Sequence, residues 1–328
     1  MRDVLMAGAA LALTAQAAAA VEEITVAYFL EWPMPMQVAK VEGAYEEALG
    51  IPVNWVAFDT GTAMSAAMAA GDVQIAVSQG IPPFVVAASA GQDLQVLDVA
   101  VSYSDNDNCV VRRDLEIDAG TASDLAGKRG AVPLGTAAHY GFLRQMDHFG
   151  IDLATVEVVD MAPPEGAVAL AQGAVDFACG YGGGLARMKE SGNVLLTGAE
   201  KEALGILVFD VTSAPASFVD ENPDLVARFL AVTADANARW NAGEDREAML
   251  ETIARDAGMA PEDAAASIDT MRFLPVEEQL SERWLGGGVA DFMDGVAGVF
   301  VEAGSIEGRL DSYEDAVNAA PLREAGAM

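Results

Sequence analysis

From residue 21 onward, short β-rich runs alternate with segments of helical spacing, and this alternation limits the possible folds more than any other feature. Strand patterns at 24–29, 53–58 and 73–77 are each followed by a helical one, at 36–49, 60–70 and 82–89. Gly50 and Gly71 close the first two helices, and Pro82-Pro83 opens the third. Such strand–helix alternation predicts βαβ units and a largely parallel sheet. A second series follows Arg112-Arg113, with a helical turn at 122–126, strands at 128–132, 156–159 and 175–178, and helices at 136–149, 165–172 and 185–190. Further strands are predicted at 194–196 and 206–211. Beyond Asn222 only helical patterns remain: 223–241, 246–257, 261–270, 280–303 (interrupted at Gly286-Gly287-Gly288) and a tail after Asp311. The prediction is an α/β chain of two lobes, 21–111 with 212–328 forming one and 112–211 the other. Extended stretches at 110–112 and 208–212 would carry the chain between them, and the C-terminal helices would return to the first lobe.

Composition removes several function classes. Of 328 residues, 52% are hydrophobic, enough to bury a large core rather than remain disordered. Lys and Arg number 18 against 50 Asp and Glu, a formal charge of −32. That balance opposes binding to a phosphate backbone or to an anionic membrane surface. Residues 1–20 read as a secretory signal: Arg2 supplies the n-region charge, 4–13 the apolar core and Ala18-Ala19-Ala20 the cleavage site. The competing reading is a membrane anchor, but Thr14 and Gln16 break an apolar run already short for a span. Export makes a disulfide between Cys109 and Cys179 permissible, while two buried thiols fit the sequence equally well.

No catalytic signature is present. There is no G-x-S-x-G or H-E-x-x-H, and the two histidines, His139 and His148, are not spaced for one helix face, so neither a metal nor a cofactor is expected. Three helix N-termini do stand out, at Asp59-Thr60-Gly61-Thr62, at Ser78-Gln79-Gly80-Ile81-Pro82 and at Pro133-Leu134-Gly135-Thr136-Ala137-Ala138. Free backbone N–H groups and the helix dipole make such ends anion sites, and small residues let a ligand approach. Taken singly, each reads as an ordinary cap; three in one chain, spread over both lobes, point to a cleft that binds an anionic group. Asp210 lies inside the apolar run 206–211, where an unpaired carboxylate is costly; either a ligand ammonium or a partner within the protein would resolve that cost. Tyr28, Trp32 and Tyr181 follow or interrupt strand patterns, as cleft aromatics or as core.

At these residues the chain resembles the substrate-binding proteins of taurine and aliphatic sulfonate ABC importers, within the wider nitrate, sulfonate and thiamine-precursor group. The resemblance rests on Val26-Ala-Tyr, Phe58-Asp-Thr-Gly, Ala70-Gly-Asp-Val-Gln-Ile-Ala, Asp124-Leu-Ala-Gly-Lys-Arg-Gly-Ala-Val-Pro, Thr136-Ala-Ala-His-Tyr and Ala162-Pro-Pro-Glu. It implies a type II periplasmic binding fold, a monomer that closes on its ligand in the periplasm and hands it to an inner-membrane permease. It implies a sulfonate near Gln79, Gly80 and Thr136 to His139, and an ammonium near Asp210 and the aromatics Tyr28, Trp32 and Tyr181. Other ligands compatible with the group are alkyl sulfonates, betaine and thiamine precursors, and an enzyme on the same fold is the rival from another class. Two segments depart from the pattern: the glycine-rich Cys179-Gly-Tyr-Gly-Gly-Gly, and Phe29-Leu-Glu-Trp-Pro-Met-Pro.

Overall fold

The computed structural model describes residues 21–103, 105–206 and 208–328, so the secretory signal read at 1–20 lies outside the described residues. Among the described residues, eleven strands form two sheets. The first contains β1 (Ile24–Phe29), β2 (Val53–Phe58), β3 (Ile75–Gly80), β4 (Leu94–Tyr103), β10 (Val208–Pro215) and β11 (Met271–Arg272), in the order β11-β4-β10-β3-β1-β2. The second contains β5 (Asp107–Arg112), β6 (Arg129–Val132), β7 (Glu157–Asp160), β8 (Phe177–Tyr181) and β9 (Gly192–Val194), ordered β7-β6-β8-β5-β9. Each sheet is the centre of one lobe.

The sheets are mixed rather than largely parallel. Within each, three strands run parallel, β2-β1-β3 and β7-β6-β8. The strand arriving from the other lobe then inserts antiparallel beside the third, β10 against β3 and β5 against β8. The change of sheet falls between Tyr103 and Asp107 and again between Val194 and Val208, so β5 is a strand of the second lobe rather than the crossing expected at 110–112. Strand β4 was not predicted at all. Nearly all of it is buried, including Asp98, whose carboxylate accepts from the Thr212 N–H at 2.9 Å. A carboxylate in the middle of the run hides the strand pattern, although a backbone donor satisfies it in the fold.

Helix boundaries follow the local sequence more closely than sheet direction does. Gly61–Ala70 begins at Thr60, which caps the Ala63 N–H, and ends at Gly71 with a left-handed φ of 82°. The 36–49 helix is in fact two, Met36–Glu42 and Ala44–Leu49, because Gly43 adopts a left-handed φ of 74° between them. The glycine triplet does interrupt 280–303: Val276–Gln279 stops before it and Gly288–Glu302 starts within it. That last helix packs against both the Ile81–Ser89 helix of the first lobe and the Ala137–Phe149 helix of the second, so the C-terminal segment bridges the lobes as well as covering the first. One hydrophobic cluster runs through both lobes, and a smaller one around Val110, Leu170 and Met188 fills the outer side of the second sheet. Cys109 and Cys179 face each other on β5 and β8 and are joined by a disulfide.

Candidate ligand site

A cavity opens where the C-terminal ends of β1 and β3 meet the second lobe, the position at which open α/β sheets bind ligands. Phe29, Trp32, Gly61, Gly80, Pro83, Tyr103, Thr136, Ala137, Tyr181 and Asp210 line it. Its volume is about 20 Å³, near the room of a single water.

Asp210 forms one end. It is only 3% exposed, and a register shift in β10 directly after it helps aim the side chain. Its Oδ2 accepts from Ser78 Oγ at 2.7 Å and its Oδ1 from Tyr103 Oη at 2.9 Å. Ser78 Oγ in turn accepts from Trp32 Nε1 at 2.8 Å, giving a relay of donors that all point toward the carboxylate. Ser78 holds a left-handed φ of 66°, a sparsely populated conformation for a non-glycine residue and one that clusters at functional positions. Burial pushes the Asp210 carboxyl up to about 7, while the Ser78 and Tyr103 hydrogen bonds pull it down and nearby Asp107 pushes it further up. Asp107 is itself buried, raised to about 6 by desolvation, with the buried Lys201 ammonium opposing that rise. Trp32 and Tyr103 meet edge to face at 4.9 Å, and Tyr181 lies 6.3 Å from Trp32 and 5.8 Å from Phe29. A buried carboxylate ringed by aromatic faces is chemistry suited to an organic cation.

Backbone forms the other end. Gly61 and Ala137 are the first residues of two helices from different lobes, and the amides of a helix's first turn have no intrahelical acceptor. The Thr136 hydroxyl caps the second helix by accepting from the His139 N–H and donates to the Pro133 carbonyl at 2.6 Å. Both helix dipoles therefore present their positive ends to the same space. Gly61 is required by packing, since a Cβ there would lie 2.6 Å from Pro83 Cγ.

Six of the ten residues singled out from sequence line this cavity: Trp32, Gly80, Thr136, Ala137, Tyr181 and Asp210. Four side chains do not. Tyr28 points to the other face of β1, against Trp55 and under the Lys40 ammonium, because strand side chains alternate. Gln79 is fully buried beneath the cavity, donating to Ser65 Oγ and the Gly61 carbonyl and accepting from Ser213. Ala138 is buried and can offer only its amide. His139 stacks on Phe300 at 5.3 Å and accepts the Gly135 N–H on Nδ1; burial lowers its pKa to about 4, so it is neutral. The Ile81 helix also offers less than predicted, because Pro82 and Pro83 carry no N–H. Phe29 and Tyr103 were missed, and Ser78 was read only as part of the helix start Ser78-Gln79-Gly80 rather than as a partner of Asp210.

A family model described as NMT1/THI5 like matches residues 33–242. The chain belongs to the NMT1/THI5-like family. It is 29% identical over 313 residues to the taurine-binding periplasmic protein of Escherichia coli strain K12, covering 94% of this chain and 95% of that one. Among solved structures, the alkanesulfonate-binding protein SsuA from Xanthomonas axonopodis pv. citri bound to MOPS superposes with a TM-score of 0.75 at 20% identity, covering 92% of this chain and all of that one. The desulfurization enzyme DSZB does so with a TM-score of 0.64 at 15% identity, over 92% of this chain and 98% of that one. These likenesses establish the periplasmic-binding-protein fold, a fold that carries both binding proteins and an enzyme.

Proposed function

We propose that this protein is the solute-binding component of an ABC importer, working in the periplasm, and that it carries taurine or a sulfonate zwitterion of similar size to a membrane permease. One observation carries the reading: a single cavity has a buried carboxylate at one end and two helix N-termini at the other. In this reading a small ligand that carries both an ammonium and a sulfonate satisfies the two ends. The similarity to a taurine-binding protein over nearly the whole chain supports the same choice. In this reading the ammonium sits on Asp210 within the Trp32, Tyr103 and Tyr181 walls, and the sulfonate on the amides around Gly61, Thr136 and Ala137. We place the lobe boundaries at the two changes of sheet.

Binding without turnover is the reading favoured over catalysis. Both cysteines are committed to the disulfide, which removes the sulfur nucleophiles, and His139 faces Phe300 rather than the cavity. Thermal melting against taurine, hypotaurine, propane-1-sulfonate, betaine and nitrate tests the assignment. At a thousand times its Kd, taurine should add about 4 kcal/mol of stability, and propane-1-sulfonate much less. If taurine leaves the melting temperature unchanged, the assignment is wrong; if taurine is consumed by the purified protein, the binding-only reading is wrong.

A further inference from the structure

The glycine run Gly182-Gly183-Gly184 does not enlarge the ligand cavity. It lies at the start of the Gly182–Ser191 helix of the second lobe, pressed against the loop after β1 in the first. A Cβ on Gly182 would stand 2.6 Å from the Glu31 carbonyl oxygen, and one on Gly183 would stand 2.8 Å from Glu31 Cβ. Side chains of any size at these positions would hold the lobes apart.

Glu31 uses the closeness they allow. Its φ is 54°, in the left-handed region that a non-glycine residue enters only at a cost. Its N–H donates to the Ala257 carbonyl at 2.8 Å, anchoring it to the first lobe. Its carbonyl accepts from the Gly183 N–H at 3.2 Å, and its carboxylate takes both Arg187 guanidinium nitrogens, at 2.7 and 2.9 Å. Nearby, the Tyr181 hydroxyl donates across the cleft to the Asp59 carbonyl at 2.9 Å. This clasp lines a wider chamber of about 310 Å³ that shares Phe29, Trp32 and Tyr181 with the ligand cavity. Arg187 is one of only 18 basic residues in a strongly acidic chain, and it is spent here.

We propose that Glu31 and Arg187, seated on Gly182 and Gly183, latch the cleft shut and set how long a ligand stays. The proposal rests on the binding reading above for its ligand but not for the latch itself. The pair lines the wider chamber and not the ligand cavity itself. Its bidentate geometry exists only when the lobes meet, so its effect falls on opening rather than on recognition.

The test measures taurine dissociation by stopped-flow fluorescence, using Trp32 as the reporter, together with hydrogen exchange of the 182–185 amides in the protein without ligand. Glu31→Gln and Arg187→Glu should each speed dissociation about two- to five-fold, the range of a half-exposed ion pair. The double variant Glu31→Arg with Arg187→Glu should return toward the parent rate. Gly183→Ala should act more strongly than Glu31→Gln, because it displaces the whole loop. The Gly183 amide should exchange faster in every single variant. Dissociation within 1.5-fold (roughly, the lower limit for such a pair) of the parent in both Glu31→Gln and Gly183→Ala would overturn the latch. If the parent binds no taurine, the ligand reading fails by itself; the exchange measurement then decides alone, and unchanged exchange at Gly183 sinks the latch.

Discussion

The two ends of the cavity are built from different materials. The Asp210 end is made of side chains drawn from distant parts of the chain: Trp32, Ser78, Tyr103 and Asp210, linked by hydrogen bonds and almost closed to solvent. The opposite end is made of backbone, the first amides of the Gly61 and Ala137 helices. A side-chain carboxylate can be removed or neutralised by one substitution or one proton. A pair of helix ends cannot, because the dipole and the N–H groups persist whatever the side chain is. Selectivity for a cation should therefore be fragile and adjustable, while affinity for an anion should be robust to most substitutions.

The largest expected effect comes from breaking the side-chain end. Asp210→Asn keeps the shape and removes the charge, and should weaken taurine binding about a hundred-fold or more, as expected for losing one partner of a buried ion pair. Propane-1-sulfonate affinity should change little, and isothermal calorimetry on both ligands separates the two outcomes. Equal losses for both ligands would mean that Asp210 shapes the site rather than reading the ammonium.

The backbone end needs a different tool. Ala137→Pro removes one N–H at the first helical position, where proline is tolerated, and the extended φ of −99° and ψ of 177° at Thr136 suits a residue preceding proline. Loss of a hydrogen bond to a charged group is worth about 1.5–3 kcal/mol, so taurine and propane-1-sulfonate should both weaken by roughly ten- to a hundred-fold. A change confined to taurine would place the sulfonate elsewhere. Melting temperature in the absence of ligand should stay close to the parent value.

A proton gives a gentler and reversible version of the first experiment. With its carboxyl raised to about 7, Asp210 is partly protonated near neutrality, and only the ionised form pairs with an ammonium. Taurine affinity should plateau above about pH 8 and fall as pH drops, approaching tenfold per unit below about 6, while propane-1-sulfonate shows no matching loss. The sign for folding is the reverse. A carboxyl raised in the folded state binds more protons there than in the unfolded chain, so its contribution to stability declines as pH rises from about 4 to about 7. Titrating Asp210→Asn alongside the parent isolates that contribution from the other carboxylates. A pH-independent taurine affinity in the parent would show that the carboxyl is ionised throughout.

Legibility in the sequence divides along similar lines. The helix ends were readable because a cap is local: Thr60 and Thr136 stand directly before the helices they cap, three residues ahead of the N–H groups they take, next to small residues and after strand patterns. Asp210 was readable as a charge inside an apolar run, and Trp32 and Tyr181 as aromatics at strand ends. The partners that finish the site were not. Ser78 and Tyr103 reach Asp210 from 132 and 107 residues away, and nothing in their neighbourhoods marks them as its donors. His139 was placed correctly on its helix but on the wrong side, since the face it presents is fixed by Phe300, far along the chain. The glycine run was visible as a departure, yet its purpose depends on Glu31, which approaches it only across the closed cleft.

Local physics in the chain thus determined the strand–helix alternation, the helix starts and stops, the two lobes and the anion-receptive amides, because periodicity and capping act within a few residues. Tertiary structure decided the sheet directions, which side chains turn into the cleft, the disulfide between facing strands and the clasp between the lobes. Each of those depends on which distant segment lies alongside, and a pattern confined to neighbouring residues carries no record of that.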